Sequence, residues 1–255
     1  MRRKFIMTTL ESKFMTRIVN VAGTPFTIKM GVVTPDDQAH TLFDQTLSNI
    51  RHFLRHVNKI TTPTLNAGNP IETRQALTKQ ELVPLQHQFM FVDNATPATL
   101  MTDGITYTMI QQWAMQQAYR KYLAPLLSHK HVFAVAIESS GNVQVGTAAD
   151  TAFTWTLGVT SRRHQQTMLA VYSLRNGALA TQRFDRANQK ITQATIVSRD
   201  LAEAGAWAAI AAATSESEFL RIAVIQRLSG LLISSEQESQ SLERGIVLQH
   251  QLVAV

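Results

Sequence analysis

Apolar residues recur along this chain with two different periods. In RIVNVAG (17–23) and PFTIKMGVV (25–33) they alternate, with Phe26, Ile28 and Met30 on one side, which predicts two strands joined at Gly23-Thr24. The period then lengthens. Phe43, Leu47, Ile50, Leu54 and Val57 form an i, i+3/i+4, i+7 stripe that predicts a helix. Thr34-Pro35-Asp36-Asp37 supplies its start, with a hydroxyl cap, a first-turn proline and acids near the positive end. Thr61, Thr62 and Pro63 place its end near Lys59. Residues 61–80 are polar and read as a loop with at most one short helix, and QFMFVD (88–93) reads as a strand. After Asp103-Gly104 a second helix is expected from Tyr107 to Leu123, with Ile110, Trp113, Ala114 and Gln117 on one face.

Strand signals dominate from there: VFAVAI (132–137), NVQVG (142–146), FTWTLGV (153–159), TMLAVYSL (167–174) and ALATQRF (178–184). Ser140-Gly141 and Asn176-Gly177 are turn signals, and the second predicts a hairpin between the strands on either side of it. DLAEAGAWAAIAAAT (200–214) predicts a helix of tiny residues in which only Trp207 and Ile210 are bulky. Ser215-Glu216-Ser217-Glu218 forms a capping box and opens a helix burying Phe219, Ile222 and Leu228. GLLIS (230–234) and GIVLQHQLVAV (245–255) complete the strands. This mixed order predicts an α+β fold, a single domain with mixed or antiparallel sheets covered by helices. Residues 1–16 read as an N-terminal extension and 17–255 as the domain.

Composition narrows the chemistry. Hydrophobic residues at 45% against 16% charged fit a packed core and not a disordered chain. With no cysteine, disulfides, thiolate metal sites and a Cys nucleophile are excluded. The basic opening MRRKF is not followed by an apolar region of signal-peptide length, and no run reaches a membrane span, so a cytoplasmic protein without a membrane partner is expected. The net charge of +6 raises nucleic acid as a partner. Its cations (Arg2, Arg3 and Lys4; Arg120 and Lys121; Arg162 and Arg163) are scattered and not interleaved with stacking aromatics, which favours a generic basic surface.

Local motifs carry little by themselves. His129 and His131 would share a strand face, but no third ligand stands near them. His52 and His56, at i and i+4 in RHFLRH, lack a glutamate and read as a solvated face. There is no P-loop, dinucleotide fingerprint or nucleophile elbow, and Asp103-Gly104 before a helix is first of all a turn.

The order of the pieces, however, resembles the ApbE-type FAD:protein FMN transferases. Gly23-Thr24-Pro25-Phe26-Thr27-Ile28 is similar to that family's N-terminal Gly-Thr-x-(aromatic)-Ser-Ile strand, and Thr64-Leu65-Asn66 to its Ser-x-Leu-Asn. Asp103-Gly104-Ile105-Thr106-Tyr107-Thr108 stands where the family has Gly-Gly-Ile-Ala-Lys-Gly. Ser140-Gly141-Asn142-Val143, Trp155-Thr156-Leu157-Gly158-Val159 and Asn176-Gly177-Ala178-Leu179-Ala180-Thr181 follow in family order, then Thr195-Ile196-Val197, the Ala-rich helix and Gly230-Leu231-Leu232-Ile233.

The resemblance implies FAD as substrate, magnesium across its pyrophosphate, and a protein acceptor taking FMN on Thr or Ser. The positions it would give to flavin are Thr24, Asn66, Asp103, Gly104, Tyr107 and Thr181. The metal positions fall at Thr106 (its carbonyl), Gly205 and Ala209, where the family's helix has a carboxylate and a hydroxyl. Magnesium needs hard anionic oxygen, which a glycine and an alanine do not supply. Tyr107 stands in place of a lysine, and only residues 67–102 are available for the family's flavin-enclosing insertion. The expectation is a degenerate relative without magnesium-dependent transfer, in a flavin-binding or assembly role, with no catalytic residue assigned. Two readings stand beside it. One is an active transferase whose helix register is shifted so that Glu203 supplies the carboxylate. The other is a basic nucleic-acid-binding protein. Homo-oligomerisation is left open by the sequence.

Overall fold

The computed structural model describes residues 13–66, 107–161, 167–184, 190–235 and 238–251. The two alternating segments at the start form β1 (Lys13–Val21) and β2 (Thr24–Val32), and helix α1 (Asp37–Asn66) follows. Helix α2 (Tyr107–Ala118) continues through a π-helical turn (Tyr119–Leu123) and a 3-10 turn (Ala124–Ser128) into β3 (Val132–Ser139) and β4 (Asn142–Thr147). Next come β5 (Trp155–Thr160), β6 (Met168–Leu174), β7 (Gly177–Arg183) and β8 (Ile191–Ser198). Helices α3 (Leu201–Ala213) and α4 (Glu216–Ile225) precede β9 (Ser229–Ser234), β10 (Glu238–Glu243) and β11 (Ile246–Gln251).

Nine strands make one antiparallel sheet in the order β1-β2-β3-β4-β7-β8-β9-β10-β11, while β5 and β6 pair separately. Alternation along the strands sorts their side chains into two cores. Ile28, Met30, Val135, Ile137, Ala178, Ala180 and Ile196 face the helices. Ala134, Ala136, Val143, Val145, Leu179 and Leu231 face away from them and are covered by Trp155 and Val159 of the β5–β6 hairpin. Helices therefore cover one face of the sheet and a hairpin covers the other. No described helix is long and apolar enough to cross a membrane.

Three two-residue hairpin turns hold both central residues at positive φ: Ala22-Gly23 (48° and 80°), Ser140-Gly141 (51° and 79°) and Arg244-Gly245 (50° and 84°). That is the geometry whose twist matches paired strands. The hairpin expected at Asn176-Gly177 is not one of them. Leu174 pairs with Trp155 in the small sheet, whereas Gly177 pairs with Val145 in the large one, so the dipeptide carries the chain between sheets. Asn176 spends its side chain on this crossing, its Oδ1 accepting from the Thr147 N–H at 3.0 Å. Helix α1 also runs beyond the expected end at Lys59, to Asn66. A helix already under way needs no new nucleus, and Pro63 near its end withdraws a single backbone donor. Ser215 caps α4 as its sequence implies, its Oγ accepting from the Glu218 N–H at 3.3 Å.

The π-helical turn directs Tyr119 toward β4, where a side chain at Gly146 would overlap the Tyr119 hydroxyl. Burial there raises Tyr119 from the ordinary 10.0 to about 12. Tyr172 on β6 is also raised to about 12, by burial and then by the Glu243 carboxylate. An absorbance titration of the four tyrosines should show these two ionising near pH 12. Both groups hold their protons more tightly when folded. Their contribution to stability is therefore complete below pH 10 and declines as pH rises from 10 towards 12.

Candidate functional site

The Ala-rich helix α3 lies against β7, β8 and α2 with Ala204, Gly205, Ala206 and Ala208 buried. Small side chains let its backbone approach closely, and on the α2 side that approach is used by amides. Gln112 and Gln116, one turn apart on α2, are both fully buried. The Gln116 Oε1 accepts from the Ala202 N–H at 2.9 Å, and the Gln112 Nε2 donates to Asn142 Oδ1 at 3.0 Å. From β4, the Gln144 Oε1 accepts from the Leu201 N–H at 3.0 Å. Asp200 makes no capping bond with its side chain. The first turn of α3 is thus capped by two buried glutamines from other elements, which satisfy donors that a helix start leaves open. The sequence predicts Ile110, Trp113, Ala114 and Gln117 on one face of α2. Gln112 and Gln116 are not legible there, because glutamine is ordinarily a surface residue. The Ala202 N–H makes burial of Gln116 tolerable, whereas Gln112 bonds the Asn142 side chain and its Oε1 has no partner among the described residues.

Gly205 faces this layer directly. A β-carbon added to it would overlap the Gln112 side-chain amide. The position matched to the family's metal-binding carboxylate is therefore filled by a neutral amide from α2. Ala209, one turn further along, is half-buried and offers only a methyl group. Glu203 is on another side of the helix, where its carboxylate accepts a hydrogen bond from the Ser198 hydroxyl of β8. The side chains at positions 203 and 205 point about 200° apart around a helix axis.

The other matched residues separate into three groups. Thr181 lies beside the Ser140-Gly141 turn, 3.6 Å from where a Gly141 β-carbon would stand, and its Oγ1 is 3.0 Å from that of Thr195. Asn142 follows the same turn, so Thr181, Asn142, Gln112 and Gly205 form one connected neighbourhood. Thr24 opens β2 opposite Val21, next to Pro25, whose carbonyl accepts from the Ser139 hydroxyl at 2.7 Å. Asn66 is the last residue of α1 and Tyr107 the first of α2. Asp103, Gly104 and Thr106 lie outside the described residues, as does the strand expected at 88–93.

The matched positions among the described residues do not fit magnesium. The ion requires anionic oxygens in near-octahedral array, and the two helical positions that would supply side-chain oxygens bear a hydrogen atom and a methyl group. Among the described residues no three His, Asp or Glu side chains gather into a metal-binding group, and His129 and His131 are exposed. Near Thr24, an apolar notch between Val21, Phe26, Leu54, Val57 and Ile110 measures about 30 Å³, room for one water. A wider cavity of about 410 Å³ opens by Tyr119, Gln144, Asn176 and Arg199, at the capped start of α3.

No family model matches the chain, and no curated protein sequence matches it. Solved structures do. A flavin transferase ApbE from Vibrio cholerae is similar over 91% of this chain and 97% of its own, with a TM-score of 0.62 and 10% identity. The flavinyl transferase ApbE of Pseudomonas stutzeri matches over 93% and 94%, with a TM-score of 0.59 and 11% identity. An ApbE protein from Thermotoga maritima matches over 91% and 97%, with a TM-score of 0.59 and 13% identity. The chain has the α+β fold of the ApbE flavin transferases, as the order of its motifs implies.

Proposed function

We propose that this chain is a binding or assembly protein built on the flavin-transferase fold, and that it does not carry out magnesium-dependent FMN transfer. The observation that carries the reading is the packing of Gln112 against Gly205. A side chain could be lost from a metal site and leave an empty space that water or a shifted ligand would occupy. Here a buried amide has taken the space, and its Nε2 is bonded to Asn142 in turn. Glu203 supports the same reading, because its bond to Ser198 holds it toward β8 and away from the α2 side. What would be bound is a flavin nucleotide, through Thr24, Asn66, Tyr107 and Thr181 together with Asp103 and Gly104.

The test is incubation of purified protein with FAD, magnesium and a Thr-containing acceptor peptide, followed by mass spectrometry. The expected result is no FMN addition to peptide or protein and no AMP release. A yellow preparation holding unreacted flavin would support the binding role. Magnesium-dependent transfer, abolished in Glu203→Gln, would establish the active-transferase reading and overturn this one.

A further inference from the structure

Helix α1 carries a cationic stripe that the flavin-transferase fold does not explain. Arg51, Arg55 and Lys59 follow one another at i, i+4 and i+8, with His52 and His56 beside them, and all five are exposed. Successive cations are thus about 6 Å apart along the helix axis. No acid occurs between Asp44 and Glu72, so the stripe is not self-neutralised along its own segment. Among the described residues, none of the three cations pairs with a carboxylate, unlike Lys29 with Glu138 or Arg120 with Asp200. The neighbouring π-helical turn adds Lys121, also exposed, whose ammonium lies 5.4 Å from the Tyr122 ring. Tyr122 in turn sits 6.1 Å from Phe53 of α1, which ties this turn to the flank of the stripe. The chain's excess of positive charge, +6, acts in the same direction.

We propose that the exposed face of α1 docks the phosphodiester backbone of nucleic acid, without reading its sequence. Phosphates along a strand ask only for cations at intervals, and sequence-independent binding is carried by such contacts. A protein partner is disfavoured by what the face lacks. Protein interfaces depend on buried apolar or aromatic anchors, whereas among the described residues the exposed large hydrophobic side chains lie on β1, β6, α4 and β11 and none on α1. The inference is independent of whether flavin binds or is transferred.

The test is fluorescence anisotropy of the full chain with labelled duplex and single-stranded oligonucleotides of equal length. Three phosphate contacts predict a slope of log affinity against log salt of about −2.7 on duplex and about −2.1 on single strand. On duplex this is about a fortyfold loss between 50 and 200 mM salt. The slope on each oligonucleotide distinguishes the two sources of phosphate. The variant Arg51→Gln/Arg55→Gln/Lys59→Gln should lose at least tenfold in affinity and most of the slope, with an unchanged melting curve because all three side chains are exposed. A matched triple on other surfaces, Arg17→Gln/Lys190→Gln/Arg221→Gln, removes the same charge and should retain most of the binding. Equal loss in both triples, no binding at 50 mM salt, or tighter binding to a polyglutamate chain than to either oligonucleotide would overturn the proposal.

Discussion

Gly205→Asp, which puts a carboxylate where the family resemblance would have one, is expected to destabilise the protein by about 4 kcal/mol. Overpacking a filled interior costs about 1–3 kcal/mol, and burying a carboxylate without a cationic partner adds a penalty of several more. The new side chain would begin inside the Gln112 amide, since even a β-carbon at 205 overlaps it. Alanine has the better helix propensity by about 1 kcal/mol, yet Gly205→Ala should also destabilise, and that sign separates steric exclusion from helix propensity. Shortening the obstructing residue should relieve the clash. In Gln112→Ala/Gly205→Asp the two changes should be non-additive by about 1–3 kcal/mol, as for residues in direct contact. Urea denaturation of Gly205→Asp, Gly205→Ala, Gln112→Ala and the double variant measures all three quantities. Wild-type stability in Gly205→Asp would mean that Gln112 yields easily and does not bar the position.

The second large effect is expected at Gln144. Its Oε1 caps the Leu201 N–H, and its Nε2 donates to the carbonyls of Gly177 and Arg199, each at 3.1 Å. Gln144→Leu keeps the volume but leaves one donor and two acceptors without their partner. At roughly 1 kcal/mol for each lost bond, the cost is about 3 kcal/mol. Gln144→Glu keeps only the accepting role. The carboxylate can still accept from Leu201, and the helix dipole favours it there, but it cannot donate to the two carbonyls. Because that charge is also buried and its second oxygen would face the two carbonyl oxygens, its melting temperature should fall below the wild type by at least as much as that of Gln144→Leu. If Gln144→Leu melts with the wild type, the start of α3 is held by Gln116 and strand packing alone.

The fold was most legible where apolar periodicity was strong. The stripe Phe43, Leu47, Ile50, Leu54, Val57 is the buried side of α1, and the alternation Phe26, Ile28, Met30 is the helix-facing side of β2. It was illegible where interior strands are polar. β10 (ESQSLE) has one apolar residue, Leu242, yet Ser239 and Gln240 are buried. β8 carries Gln193 and Thr195 into the interior, where the Thr195 hydroxyl meets that of Thr181. Such positions look like loop or surface until a neighbouring strand supplies hydrogen-bond partners. Asn176-Gly177 misled for a related reason: its local chemistry is that of a hairpin turn, but the pairing on either side is decided by which sheet each strand joins.

The candidate site shows the same division. The small residues at 205 and 209 stand in the sequence, and their significance came from resemblance in motif order. What fills the space came from Gln112, 93 positions earlier, through a contact that no local pattern announces. Once the structure is known, the signal can be found in the sequence. QQWAMQQ (111–117) places glutamines four apart on a helix that also carries Trp113 and Met115, so some amide face must turn inward. A helix of tiny residues with bare N–H groups at its start is the element that Gln116 serves.

Absence of a metal grip is tested most directly with manganese(II), which accepts the same oxygen ligands as magnesium and whose free ion is counted by electron paramagnetic resonance. Titrated into protein plus FAD across the millimolar range, the free-ion signal should match that of FAD alone. Depletion of one manganese per chain, reversed by magnesium and lost in Glu203→Gln, would contradict the assignment of Gly205 and Gln112 as a filled metal position.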